Sequence, residues 1–568
     1  MGSAVHVCYT TCDEQAPCAQ LELHQFPAPP RAFLQLVLPD SSFNPRVFCT
    51  NSFRFALFPS SRFPPFHTRA RIMLTLLLYP IAALILYITT TTIRSIYLHP
   101  QAHIPGPKTW IAFPILRHIS AIRGRIHLDL CRFHATYGPV VRYGPDTLSI
   151  ITEEVWPKVY GHGHRQLPKV QPSASNPRDI LSANDEDHAR YRKALLPAFS
   201  ARGLQAQEPL IIGYVDKLIH RLREIAESGA ATDMVKWYNL TTFDIIGDLI
   251  FGESFGGLDN SEYHHWVVTI FRTIKSRPFF FLMDEYPIVF RVLRLLMPRG
   301  FVPDAVMQSR QAHKTHTQEA IAKRLENAAA YNRNDLMDSM LHTRGGKNEL
   351  SDLELEGNAN LLLVAGSETV ATFLSGTTYW LCQSPEVLDR LTGEVRSAFK
   401  TESEITIRNV SANLPYMDAC INEIFRIYPP VVTGMERRTV DPVHIGGYHI
   451  PPGTELSIPQ AVAYTSSRNF HNPHSFDPAR WLPESKTDPS SPYFNDNRDV
   501  VQQFSVGPRN CIGSNLAFAE IRLILARLLW NFDLTLCDQS QRWSEQRAYV
   551  VWEKGGLMCR LTVRGGGG

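Results

Sequence analysis

The chain has almost no excess of charge of either sign. It has 57 Lys and Arg against 54 Asp and Glu, a formal +3 over 568 residues. That balance excludes the basic stripe expected of a nucleic-acid-binding protein. No internal repeat is found, which excludes solenoids and propellers. No linker-like stretch follows residue 110, so the length does not divide into several domains. No Gly-x-Gly-x-x-Gly run or flavin-type segment follows the C-terminal cysteine region before the closing Gly565–Gly568. Long apolar runs are scarce too, with a single exception near the N-terminus. The remainder, 44% hydrophobic with 40 Pro and 33 Gly, is ordinary globular composition.

That exception is Ile72 to Ile93, an uncharged run long enough to cross a bilayer. Arg94 ends it, and the Pro-rich segment His99-Pro100-Gln101-Ala102-His103-Ile104-Pro105-Gly106-Pro107-Lys108 follows as a stiff hinge. Its length argues against a cleaved secretory signal. Residues 1–71 hold Cys8, Cys12, Cys18 and Cys49 and show no helical or strand period. The expectation is a disordered extension or a gene-model artefact, with translation starting at Met73. The boundaries expected are therefore 1–71, an anchor over 72–93, a hinge over 94–110 and one domain over 111–564. Cys131, Cys382, Cys420, Cys537 and Cys559 are expected to be reduced and buried.

Cys511 has unusual company in Phe504-Ser505-Val506-Gly507-Pro508-Arg509-Asn510-Cys511-Ile512-Gly513. Gly507 and Gly513 permit tight turns close to a flat ligand. Arg509 is a fixed cation that could lower the thiol pKa or hold a carboxylate. Phe504 offers an aromatic wall. The run Leu516 to Leu529 reads as a helix whose N-terminus faces the sulfur and favours its anion.

Upstream, Ser351 and Glu354 form a capping box ahead of an apolar helix. That helix contains Leu363-Val364-Ala365-Gly366-Ser367-Glu368-Thr369. Gly366 weakens a helix, and Glu368 and Thr369 are costly in an apolar one unless partnered. Such local violations mark a functional site. The plainer alternative turns Glu368 to solvent and bonds Thr369 back to the Ala365 carbonyl. Glu423 and Arg426 share a helix face between Pro415 and the Tyr428-Pro429-Pro430 break. Gly447 to Gly453 reads as a hairpin.

The cysteine loop resembles the haem-binding signature F-x-x-G-x-R-x-C-x-G of the cytochrome P-450 superfamily, and all five defining positions match. Ala365-Gly366-Ser367-Glu368-Thr369 resembles the family's [AG]-G-x-[DE]-T motif. Glu423-Ile424-Phe425-Arg426 resembles its E-x-x-R, and Phe476-Asp477-Pro478-Ala479-Arg480-Trp481 its second-arginine motif. His188-Ala189-Arg190-Tyr191-Arg192 resembles the W/H-x-x-x-R element. The phrases Glu356-Gly357-Asn358-Ala359-Asn360-Leu361 and Phe494-Asn495-Asp496-Asn497-Arg498-Asp499 are similar to filamentous-fungal members of secondary metabolism.

The resemblance implies a mainly α fold with small β-sheets over about residues 100–560, behind an N-terminal transmembrane helix. It implies haem b (iron protoporphyrin IX), with Cys511 as axial ligand of the iron. His188, Arg192 and Arg509 are the implied propionate contacts, with Arg437 as a fourth for which Arg438 competes. Gly366 lets the helix open beside the iron, while Thr369 and Glu368 handle dioxygen and its protons. Glu423, Arg426 and Arg480 form a buried structural triad that locks the loop.

The implied reaction inserts one oxygen atom of O2 into a lipophilic, terpenoid- or polyketide-like substrate. Its electrons come from NADPH through a separate flavoprotein reductase, with cytochrome b5 as a further donor. Basic residues near the loop face that partner. The implied location is the endoplasmic-reticulum membrane, single-pass, with the body cytosolic. Ala365, Thr369, Val431, Val432 and Thr433 are candidates to face the substrate, and Pro278 to Met283 to line its access route or touch the membrane. Two alternatives keep Cys511: a haem-thiolate isomerase or dehydratase working without a reductase, and a non-enzymatic haem sensor.

Overall fold

The computed structural model describes residues 66–172, 178–263, 265–296, 304–326 and 333–565. The expectation for residues 1–71 therefore lies, up to residue 65, outside the described residues. Helix α1, Phe66–Ile93, starts ahead of the expected anchor, and a π-helical turn Arg94–Leu98 extends it. The stretch long and apolar enough to span is Leu78–Leu98. It runs past Arg94 because one long cationic side chain can snorkel to the interface. Leu78, Tyr79, Ile81, Leu84, Ile85 and Leu86 are all exposed, so this is not a core helix.

Residues 76–568 form one compact unit. Six helices position the site. Helix α2, Asp185–Leu195, starts at Asn184, whose side chain accepts from the Asp187 N–H. Helix α3, Ala201–Glu227, is capped by Ser200 in the same way. Helix α4, Met234–Phe251, is buried almost all round and stops at Gly252, whose φ of 80° only glycine adopts freely. Helix α5, Asp352–Cys382, has the expected capping box, with the Ser351 N–H donating to Glu354 at 2.8 Å. Helix α6, Pro415–Ile427, begins on proline. Helix α7, Ser514–Asn531, follows the cysteine loop. One apolar core joins α3 to α7.

A second core lies under a four-stranded sheet. There Thr147–Ile150 pairs in parallel with Glu455–Ser457 and antiparallel with Val140–Arg142, and Arg437–Arg438 closes the far edge. A C-terminal sheet centres on Met558–Val563, flanked by Ala231–Asp233 and Phe532–Leu536. The expected hairpin pairs Val443–Ile445 with Tyr448–Ile450. Its turn is Gly446-Gly447, with φ of 58° and 79°, so it falls at the start of the expected segment.

The expected triad is present and fully buried. Arg426 makes a bidentate contact to Glu423, at 2.8 and 2.7 Å, and Arg480 Nε lies 3.4 Å from the same carboxylate. A fourth member, Asp496, pairs with Arg480. Arg426 also donates to the Tyr464 carbonyl at 3.0 Å, and the Tyr464 hydroxyl accepts the Gln502 N–H at 3.0 Å. Gln502 in turn accepts from Ser505, the second residue of the cysteine signature. Removing one partner strands the others in a dry core, at about 3–5 kcal/mol. Arg426→Ala is therefore expected to give aggregated or haem-free protein. Recovery of stable, haem-loaded protein by absorbance and thermal melting would contradict this.

Candidate functional site

The cysteine loop is folded on its own backbone. Cys511 N–H donates to the Phe504 carbonyl at 2.8 Å and Asn510 N–H to the Gly507 carbonyl at 3.1 Å. Gly507 has φ of 78°, and a Cβ there would fall 1.9 Å from the Tyr160 carbonyl oxygen. Glycine is obligatory on both counts. Gly513 differs: its φ is −85°, and a Cβ would meet only Phe199, at 3.6 Å. The expected turn requirement holds for Gly507 and not for Gly513. What Gly513 supplies is its amide, which favours the ionised form of the Cys511 sulfur. The Phe504 ring lies 5.4 Å from Phe425 and 5.0 Å from Phe518, tying the loop to α6 and α7.

Burial pushes the Cys511 thiol up, while the Gly513 amide and the Arg192 cation pull it down. The residue is nonetheless exposed. A surface that is accessible yet surrounded by protein faces an internal space. The other described cysteines are free. Cys420 and Cys559 are buried as expected, but Cys131, Cys382 and Cys537 are only half-buried.

The cations expected around the loop separate by role. Arg192 donates to Asn510, at 2.8 Å to the carbonyl and 2.7 Å to the side-chain oxygen. It clamps the loop and is the cation that acts on the sulfur. Arg509 instead turns to Asp185 Oδ1 at 2.6 Å and the Ala183 carbonyl at 3.0 Å. Position two before the cysteine does not aim it at the thiol. Its Nη1 is buried without a partner. Arg437 is buried, and its Nε and Nη1 are likewise unpartnered. Arg438 points outward to Glu455 at 2.6 Å. His188 is buried, and burial plus Arg509, Lys169 and Arg192 hold its pKa down to about 3, so the ring is neutral. His188, Arg192 and Arg509 line one cleft of about 480 Å³ with Gln166, Asp185 and Pro508.

On α5, Gly366 does not open the helix, which runs unbroken through it. A Cβ there would meet Ile246 of α4 at 2.8 Å, so glycine permits close helix packing. Ala365 is exposed and Thr369 half-exposed on a helix otherwise largely buried. Thr369 donates back to the Ala365 carbonyl at 2.7 Å, as in the plainer alternative. Glu368 does not face solvent. It is buried and ion-paired with Lys554, and Thr372 donates to it at 3.3 Å. Burial raises its pKa and Lys554 opposes that; its Oε2 has no partner. The acid and alcohol are adjacent in sequence but look to different sides. Of the substrate-facing candidates, Val432 is removed: it is fully buried against Ala461 and Ala548. Val431 and Thr433, on the other side of that extended segment, remain partly accessible.

Sequence reasoning missed Lys554, Asp496, Asn510 and Asp185. Lys554, Asn510 and Asp185 lie 186, 318 and 324 residues from their partners and Asp496 only 16, and none carries a periodic signal.

An accessible thiol in a folded loop, with unpartnered guanidinium nitrogens on Arg437 and Arg509, suits an iron porphyrin with two carboxylates. This is a haem-thiolate protein, and the chain belongs to the cytochrome P450 family, whose model matches residues 104–560. Among its relatives, cytochrome P450 monooxygenase olcB of Penicillium canescens is 54% identical over 493 residues, covering 87% of this chain and 99% of that one. Trichothecene C-4 hydroxylase of Trichoderma arundinaceum is 50% identical over 488 residues, 85% and 96% of the two chains. Averantin hydroxylase of Dothistroma septosporum is 40% identical over 495 residues, 85% and 91%. The chain is a haem-iron monooxygenase that uses O2, an organic substrate and a redox partner, with one apolar N-terminal helix suited to a membrane. Relatives named for hydroxylation do not favour the isomerase or sensor alternatives.

Two outcomes follow from this geometry. Cys511→Ser is expected to abolish the red-shifted ferrous–CO band of thiolate ligation; a normal band in that variant would refute the assignment. The second concerns Glu354, which accepts from Arg190 at 3.0 Å and from Tyr191 at 2.7 Å, joining α5 to α2. The Arg190 hydrogen bond lowers its pKa from 4.5 to about 2. A depressed carboxylate stabilises the fold above its unfolded pKa and loses that contribution as pH falls. The contribution should be complete above pH 4.5 and fade toward pH 2. In Glu354→Gln, stability measured by denaturant titration should fall less steeply across that window; an unchanged slope would refute it.

Proposed function

We propose that the chain is a haem b hydroxylase of secondary metabolism, held in the endoplasmic-reticulum membrane by a single span with its body in the cytosol. The observation that carries this is the complete Cys511 loop, clamped by Arg192 through Asn510 and presenting one accessible sulfur. Electrons come from NADPH through a flavoprotein reductase, with cytochrome b5 as a further donor. The substrate is a lipophilic terpenoid or polyketide-like molecule, in keeping with relatives named for a trichothecene and for averantin.

Cys511 serves as thiolate ligand, and Gly513 and Arg192 stabilise its charge. Arg437, Arg509 and neutral His188 hold the propionates. When bound, the haem supplies the activation of dioxygen. The rest is protein work. Ala365 keeps one helix face small, and Thr369 presents a hydroxyl on that face. Glu368 stands behind, tied to Lys554. On leaving that ion pair Glu368 takes up a proton, from Lys554 or from water, and passes it through water to Thr369, which is general-acid work. Glu423, Arg426 and Arg480 keep the loop in register and touch no substrate.

Thr369→Ala is expected to lower product formation by about 100-fold while NADPH is still consumed and peroxide appears. Haem content and the CO band should be unchanged, because the thiolate side is untouched. Product, peroxide and NADPH are measured together with the reductase present. Wild-type rate and coupling in the variant would overturn the relay.

A further inference from the structure

Lys169 belongs to none of the motifs above, yet the fold sets it against two of the cations they contain. Val170 N–H donates to the Glu436 carbonyl at 3.1 Å, and Arg438 N–H to the Pro168 carbonyl at 2.8 Å. Those two bonds frame Lys169 and Arg437 as directly opposite residues of an antiparallel bridge. The pair has no hydrogen bond of its own. That is the arrangement that brings opposed Cα atoms to about 4.5 Å and puts both side chains on one face. The Lys169 ammonium also donates to the Leu181 carbonyl, and Arg509 donates to the Ala183 carbonyl at 3.0 Å. The same short segment thus fixes both of these cations.

Like charges directly opposite on two strands are destabilising. Among the described residues, no carboxylate forms an ion pair with Lys169 or Arg437 to offset this. The two nearest acids are engaged elsewhere: Asp179 accepts the Ser182 N–H at 2.7 Å, and Asp185 accepts from Arg509 at 2.6 Å. Arg437 is only 3% exposed, and neither its Nε nor its Nη1 has a partner. Burial, Arg509 and Arg437 together push the Lys169 pKa down to about 7, with Asp179 and Asp185 opposing. An ammonium in that position lacks an anion. A carboxylate set between the two opposed cations would replace their repulsion by charge-assisted hydrogen bonds. Lys169 has donors to spare for it, since the Leu181 carbonyl takes only one of three.

We propose that Lys169 is a further cofactor-binding residue, its ammonium and the Arg437 guanidinium together holding one carboxylate of the porphyrin. This rests on the haem-thiolate reading and adds to it a cation that no motif supplies. It also accounts for a buried lysine opposite a buried arginine, which packing alone would not favour.

The test uses the haem-loaded full chain without substrate. Haem loss to excess apomyoglobin is followed by absorbance, and the porphyrin carboxylates are read by their bending bands in the resonance Raman spectrum. Lys169→Gln should lose haem about tenfold faster, the effect of one charge-assisted hydrogen bond, and its carboxylate bands should shift. Lys169→Arg keeps the charge but changes the donor geometry. Its haem loss should stay within about twofold of wild type while the bands still move. Haem loss at the wild-type rate in Lys169→Gln would overturn the proposal. Faster loss with unshifted bands would overturn it too, because Lys169 would then act only by supporting Leu181. If Lys169→Gln yields no folded protein, Lys169→Arg decides alone, and unshifted bands in it reject the proposal. Neither readout needs turnover. Failure of the haem-thiolate reading would appear separately, as a wild-type chain without the red-shifted ferrous–CO band.

Discussion

The structure depends on a dry ion network. Glu423 and Arg426 share one turn of α6, Arg480 and Asp496 come from the chain that follows it, and all four are buried. Such a network adds little net stability over a well-packed apolar core, because desolvation offsets most of the attraction. What it adds is geometry. A bidentate guanidinium–carboxylate pair has one good arrangement. Through Tyr464 and Gln502 that arrangement reaches the first turn of the cysteine loop. The long irregular stretch between α6 and α7 could not otherwise hold a single thiol in place, since it offers few backbone ladders of its own.

The loop then shows how a thiol can be both deep and reactive. Burial alone would keep Cys511 protonated. The Gly513 amide and the Arg192 guanidinium, supplied from two different helices' ends, offset part of that cost. On the other side, α5 breaks the usual rules for a core helix, but each breach has its own explanation. Gly366 answers to Ile246, Thr369 to the Ala365 carbonyl, and Glu368 to Lys554. A motif that reads as one functional unit is thus assembled from three separate packing solutions.

Much of this was legible beforehand because the signals were local. The capping box, the start of α6 at Pro415 and the cysteine signature each lie within a few residues, and local chemistry dictates them. The mainly helical fold and the haem followed from the same motifs. Sequence spacing failed where a side chain had a choice of partner. Arg509 sits beside the cysteine yet bonds Asp185, more than 300 residues away, while Arg192 from that same distant helix reaches the loop. The inward role of Arg437 over Arg438 depends on which face of a short strand is covered, and only the sheet decides that. Gly513 looked equivalent to Gly507 because composition does not report φ.

Lys554 has a consequence for how the chain is made. Glu368 on α5 lies 186 residues ahead of the cation that neutralises it. Lys554 precedes the central strand of the C-terminal sheet and leaves the ribosome well after α5. Domains made N-terminus first can pack early helices as they emerge. Here the buried Glu368 of α5 lacks its partner until the segment carrying Lys554 has been made, so that part of the packing completes late. The cysteine loop is likewise made after α5, so the two sides of the site come together only once that later stretch of chain has folded.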